Sequence, residues 1–368
     1  MNETICNIAV IRGDGIGVDV TDAALAVVEA ARGRTGGFQL ACNDLVAGAG
    51  YFKETGQDMA PGHENAAAQA DAILLGAIGL PAVRHADGTE ISPHLRLRER
   101  FQLYAGVRPV KAYPNAPRRL ADPRADAIDL IILRESTEGL FYSAAANKRE
   151  TVANDSEVQD ILRITRHTSE KLFDFAFRLA EKRKSKGRKG MVTCVDKANV
   201  FRSMAFFRKI FDERKGAFPD VETSYNYVDA QALDLIRRPW DFDVLVMENM
   251  FGDILSDLAG GLVGGMGMAS CAEVGDDHAL FQPAHGSAPD IMGQDKANPL
   301  AAILSAALML DYLADRMGGH DGLTDAATVI EDAVQKGFEQ NRLRPMEFGG
   351  DMGTQAVTRE VMALISGD

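Results

Sequence analysis

The chain has 368 residues, 46% of them hydrophobic and 25% charged, enough apolar mass for one large globular domain or two medium ones. Its net charge of −13 argues against a general nucleic-acid or anionic-membrane surface, and requires a local cation cluster wherever an anionic ligand binds. The scattered Cys6, Cys42, Cys194 and Cys271, the acidic start MNETICNIAVI and the lack of any long apolar run predict a cytoplasmic protein with reduced thiols, no structural zinc and no membrane span.

Residues 8–11 predict a first strand, closed by the turn RGDGIG and followed by a helix over about 20–31. Further buried strands are expected at 71–75 (DAILL, ending in GAIG), 128–133 (IDLIIL), 190–195 and 242–247 (FDVLVM). Helices are expected at 158–183, with Ile161, Leu172, Phe175, Ala176 and Leu179 on the apolar side, and at 298–317 and 324–339. Strands alternating with helices indicate an α/β protein with a largely parallel sheet. The three prolines of 109–117 suggest a crossing or extended surface segment, and the basic run KRKSKGRK at 182–189 a solvated helix end.

Two glycine-rich turns, Gly13 to Gly17 and Gly76 to Gly79, follow strands and would let backbone approach an anion. A tight turn with no ligand would look the same. The arginines say more. Arg98 and Arg108 lie ten residues apart, and Arg134 emerges at the carboxyl end of an apolar strand, where open α/β sheets bind ligands. Three guanidinium groups suit a di- or tricarboxylate. Asp253 and Asp257, four apart, share one helix face, which fits either a cation site or acids in a first helical turn. Asp229 would complete an all-oxygen set for Mg²⁺ or Mn²⁺. Lys197, after a buried strand, becomes a proton acceptor if cations and burial surround it, and is otherwise a surface lysine.

The series IAVIRGDGIG, LLGAIG, LRLRERFQLYAGVRP, LRESTEG, VDKANV, YVDAQAL, MFGDILSDLAGG and HGSAPDIMGQDKANP resembles the β-decarboxylating dehydrogenases, which act on isocitrate, isopropylmalate, homoisocitrate, tartrate and D-malate. The motifs stand in that family's order from about residue 7 to residue 300, and GDMGTQAVTREVM resembles its C-terminal helix. The resemblance implies the family's own two-domain α/β fold rather than a GxGxxG Rossmann fold. One domain would comprise residues 1–105 plus 259–368, the other 106–258 with the dimer interface.

It also implies a homodimer with shared sites. Arg98, Arg108 and Arg134 would bind the malate moiety of the substrate. Asp253 and Asp257 of one subunit, with Asp229 of its partner, would hold Mg²⁺ or Mn²⁺, and Lys197, also from the partner, would assist proton removal from the substrate hydroxyl. His285, Gly286, Ser287, Ala288, Asp290 and Asn298 would form the adenosine loop, with Asn199 near the nicotinamide. Asp290 favours NAD over NADP, because a carboxylate accepts from both ribose hydroxyls and repels a 2′-phosphate.

Some positions depart from the family pattern. Phe141 stands where the family has its proton-donating tyrosine, so Tyr142 is the candidate donor if the turn bulges. Arg12 replaces a usual proline, and Gln282-Pro283-Ala284-His285 a usual Glu-Pro-Val-His. Ile91, Ser92, His94 and Leu95 fill the stretch that covers the substrate's C3 substituent. Ser92 and His94 favour a polar group there, as in isocitrate, homoisocitrate or tartrate, since desolvating His94 without a partner costs roughly 1–3 kcal/mol. The alternatives are a 3-isopropylmalate dehydrogenase and, from another class, a catalytically weak regulatory subunit.

Overall fold

A computed structural model describes residues 3–144 and 154–367. The ten strands are β1 (Thr4–Gly13), β2 (Phe38–Asp44), β3 (Ala72–Ala77), β4 (Ala105–Lys111), β5 (Asp129–Glu135), β6 (Met191–Asp196), β7 (Glu222–Tyr227), β8 (Val244–Met247), β9 (Ser270–Val274) and β10 (Ala279–Pro283). They form one sheet in the order β2-β1-β3-β10-β9-β4-β5-β8-β6-β7. Both outer portions are parallel, as crossover helices require. The middle is antiparallel: β9 and β10 form a hairpin that returns late in the chain to lie between β3 and β4, and β4 runs against both β9 and β5.

The five anticipated strands are present, each shifted, lengthened or shortened by a few residues. Two expectations need correction. The helix expected from residue 158 begins at Arg166, where Thr165 caps it by accepting from Thr168 N, and Val158 and Ile161 are exposed. Pro109 belongs to β4 rather than to a surface crossing. β4 pairs with β9 only over residues 105–107, so the missing N–H of Pro109 falls where that ladder has already ended.

Alternation along the central strands assigns two faces. Arg108 and Val110 on β4, and Ile132 and Arg134 on β5, meet the helix Asn249–Leu262. Val107 and Ile131 point the other way, into the larger core shared with the helices Arg166–Ser185 and Leu300–Arg316. The basic run ends the helix Arg166–Ser185 and is more engaged than a solvated end: Arg183 pairs with Asp129 and with Asp243, whose side chain is fully buried. No described helix is long and apolar enough to cross a membrane, and all four cysteines are free thiols.

Candidate active site

The three arginines converge. Arg98 comes from the helix Pro93–Arg100, Arg108 from β4 and Arg134 from β5, and all are buried. Arg98 Nη2 lies 2.8 Å from Glu273 Oε1, a fully buried carboxylate on β9 that the sequence reading missed. Arg108 Nη1 donates to Ser256 Oγ at 2.6 Å. Arg134 Nε donates to Asn249 Oδ1 at 2.8 Å, and its Nη1 to Asp253. Burial, then repulsion from Arg108 and Arg98, pulls the Arg134 guanidinium down to about 10.

Asp253 and Asp257 lie on the helix Asn249–Leu262, but neither is its cap. Glu248 takes that role, accepting from Phe251 N at 2.8 Å. The aspartates face the arginines instead, with Arg108 3.7 Å from Asp253 and 3.5 Å from Asp257. Burial raises the Asp257 carboxyl, with Arg108 opposing and Asp253 adding like-charge repulsion. Gly252 lets this helix come so close, because a Cβ there would stand 2.6 Å from Arg134 Cβ.

Within one chain Asp229 bonds Lys197, which holds the Asp229 carboxyl below its usual range. Among the described residues no group of three or more His, Cys, Asp or Glu side chains is arranged to hold a metal ion. Asn199 lies exposed on the turn after β6.

His94 and Ser92 sit at the start of the arginine-bearing helix. Ser92 is its N-cap residue, yet its hydroxyl makes no cap hydrogen bond. His94 Nδ1 is buried with no partner, and desolvation, with Arg98 and Arg134 adding repulsion, pulls the imidazole down to about 3. His94 is therefore neutral. The Phe141 ring lies against Arg134, 4.9 Å from guanidinium carbon to centroid. Tyr142 lies against Arg163 instead, at 4.7 Å. The turn thus puts phenylalanine, with no ionisable hydroxyl, beside the arginine cluster.

The glycine turns resolve differently. Asp14 accepts from Ala49 N, Gly50 N and Gly79 N, each at 2.8 Å, so Gly79 N of the second turn serves the chain's own carboxylate, and Asp14 N and Gly17 N of the first donate to the carbonyls of Ala77 and Asp14. Ile16 N donates to Ser287 O at 2.7 Å, and a Cβ on Gly15, at φ +56°, would stand 2.0 Å from that oxygen. The glycines there serve backbone contact, and they anchor the loop after β10. On that loop Ala288 has a left-handed φ of 34°, unusual away from glycine. His285 Nε2 is buried without a partner, and Gly286 and the free Asp290 carboxylate are exposed. Asn298 is turned inward, donating to Glu347 at 2.9 Å.

Residues 7–365 match the family model described as isocitrate/isopropylmalate dehydrogenase. The chain belongs to that family. It is 39% identical over 355 residues to a 3-isopropylmalate/3-methylmalate dehydrogenase of Methanocaldococcus jannaschii, covering 96% of this chain and 97% of the relative. To a homoisocitrate dehydrogenase of the same organism it is 37% identical, covering 97% of each. A solved isocitrate dehydrogenase from Methylococcus capsulatus superposes with a TM-score of 0.82 at 31% identity, covering 98% of this chain and 99% of that one. The fold is thus that of the β-decarboxylating dehydrogenases, and the protein is a dehydrogenase of that family.

Proposed function

We propose that the protein oxidises and decarboxylates a 3-substituted malate, using NAD and Mg²⁺ or Mn²⁺. The observation that carries this reading is the buried triad Arg98, Arg108 and Arg134 beside Asp253 and Asp257, with the side-chain nitrogens Arg98 Nε, Arg108 Nε and His94 Nδ1 unpartnered. Buried polar atoms without partners are rare in a finished core and mark a place for a ligand. The carboxylate set is all-oxygen and suits a hard divalent ion, with Asp253 and Asp257 from one chain and the partner subunit's Asp229 completing it. Leu233, Ile236 and Ile254, at 53%, 45% and 58% exposure on the helices Val228–Arg237 and Asn249–Leu262, support a homodimer that covers them. The division into 1–105 plus 259–368 and 106–258 belongs to the same reading.

In this scheme the arginines bind and orient the substrate carboxylates, and Ser92 and His94 meet the C3 substituent. A bound Mg²⁺ or Mn²⁺ supplies polarisation of the hydroxyl and its neighbouring carboxylate, and NAD supplies the hydride acceptor. The partner subunit's Lys197, freed from Asp229, takes the hydroxyl proton. His285, Gly286, Ser287, Ala288 and Asn298 frame the adenosine, Asn199 approaches the nicotinamide, and Asp290 selects against a 2′-phosphate. Phe141 shields Arg134 and gives no proton, so the carbon left after CO₂ departs is protonated by water or by Tyr142.

The names of the relatives favour an alkyl substituent, and 3-isopropylmalate is the first reading. The unpartnered His94 Nδ1 favours a second, in which a polar substituent hydrogen-bonds to that nitrogen. NADH production should be measured with Mn²⁺ on 3-isopropylmalate, 3-methylmalate, homoisocitrate, isocitrate and tartrate. Turnover is expected on at least one, with NAD preferred over NADP, and it should vanish in excess EDTA. No NADH from any of the five would remove the proposed activity, full turnover in EDTA the metal, and equal efficiency with NADP the role of Asp290. On an active substrate, Phe141→Tyr should quicken formation of the decarboxylated product, by supplying the proton taken up after CO₂ leaves.

A further inference from the structure

The face of β4 and β5 opposite the arginines is not filled. A cavity of about 520 Å³ lies behind the sheet, between the helices Arg166–Ser185 and Leu300–Arg316, with Asp321–Glu339 at one edge. That volume is typical of small-molecule sites. Strand alternation makes it separate from the substrate site: β4 presents Arg108 in front and Lys111 behind.

The wall is apolar, with Ile131, Phe175, Leu304 and Leu308 among its residues, and the edge is charged. Most of the charges are spent. Lys182 spans the gap to Asp311 at 2.9 Å and Asp315 at 2.8 Å, and Arg183 and Arg188 both pair with Asp129. Among the described residues, Lys111, Arg178 and Lys186 make no close ion pair, and on the acidic side only Glu331 makes none either, its charge met at longer range by Lys186 and Lys111. Three unpaired cations against one unpaired carboxylate leave this cleft positive, in a chain whose net charge is −13. The hydroxyl of Tyr312, which also lines the cavity, is buried with no hydrogen-bond partner. A strongly acidic protein that collects free cations around an apolar hollow has the complement of an organic anion.

We infer that this rear cavity is a second small-molecule site, for an organic dianion with an apolar body. The body lies on the aliphatic and aromatic wall, the charges meet Lys111, Arg178 and Lys186, and a polar atom meets the Tyr312 hydroxyl. Phosphate monoesters and long-chain dicarboxylates share this chemistry.

The test is calorimetric titration of the intact protein with phenyl phosphate in one arm and octanedioate in the other. Arg178 is exposed on the helix Arg166–Ser185 and Lys186 just beyond its end, so the double reversal Arg178→Glu with Lys186→Glu leaves the core untouched. At least one probe should bind, and the reversal should weaken it tenfold or more, whereas Lys53→Glu, an exposed change elsewhere, should not. The stronger arm identifies the anion class. Absence of binding by both probes at millimolar concentration overturns the inference. So does binding that survives the double reversal but is lost in Arg134→Met, since the probe would then sit on the front arginines. Neither readout needs turnover, so the fate of this site and that of the proposed dehydrogenase activity are read separately.

Discussion

Two buried polar regions lie on the same sheet, with three strands between them, and are built on opposite terms. At the end of β1, the Asp14 carboxylate takes three backbone N–H groups and ties three segments together. At the ends of β4 and β5, Arg98, Arg108 and Arg134 crowd together with His94 Nδ1, Arg98 Nε, Arg108 Nε and Glu273 Oε2 lacking partners. The first region is complete without a ligand, so its polarity serves the scaffold. The second has like charges gathered at a cost in desolvation, with bonding capacity left over. Residue type alone does not separate scaffold from site; the tally of satisfied atoms does.

Of the three cluster arginines, Arg134 has the most to lose on truncation, being the most buried and bonded to both Asn249 and Asp253. Arg134→Met leaves Asp253 without its close partner and removes one carboxylate clamp. Truncating a buried, hydrogen-bonded charge costs roughly 3–4 kcal/mol, so kcat/KM on an active substrate should fall about 10²–10³-fold. A loss under tenfold would mean that the cluster is not where the substrate binds.

Asp14→Asn tests the scaffold role of the β1 turn. One carboxylate acceptor is lost from a three-way junction, costing roughly 1–3 kcal/mol of stability. The melting temperature should drop by several degrees while kcat changes little. If kcat collapsed at an unchanged melting temperature, the turn would be a ligand site after all.

His94→Gln gives the smallest effect and tests the unsatisfied imidazole. His94 is neutral in the folded protein down to about 3, whereas the unfolded chain protonates near 6.5. Between those values the unfolded state binds the extra proton, so His94 lowers stability as pH falls, by at most about 1.4 kcal/mol per pH unit. Melting temperatures from pH 7 to pH 5 should fall more steeply in the unmutated protein than in His94→Gln. Parallel curves would show that the imidazole is hydrated and that the pocket is wet.

Much of this contrast could be read from the sequence. An arginine at the end of an apolar strand, and two aspartates four apart after another, carry their meaning in spacing. The role of Asp14 did not, because its three donors come from residues 49, 50 and 79, and only the fold brings them together. Glu273 was missed for the same reason: CAEVG reads as a short mixed strand, and only the antiparallel pairing of β9 with β4 brings it to Arg98. Strand β4 was hidden by its proline, and β7 by the polar residues of ETSYNY. The early start given to the helix Arg166–Ser185 came from following apolar spacing past Thr165, where the cap stops the helix.

The antiparallel middle of the sheet carries a consequence for biosynthesis. Strand β3, at residues 72–77, finds its second neighbour only in β10, at 279–283, with Leu280 opposite Ile73 and Phe281 opposite Leu74. Until the ribosome has made that hairpin, β3 has a bare edge, and every one of its six residues is buried in the finished fold. An open apolar strand edge invites pairing with other chains. The interval between translation of β3 and of β10 is therefore when this chain is most exposed to aggregation, and when a chaperone holding that edge would most improve its yield.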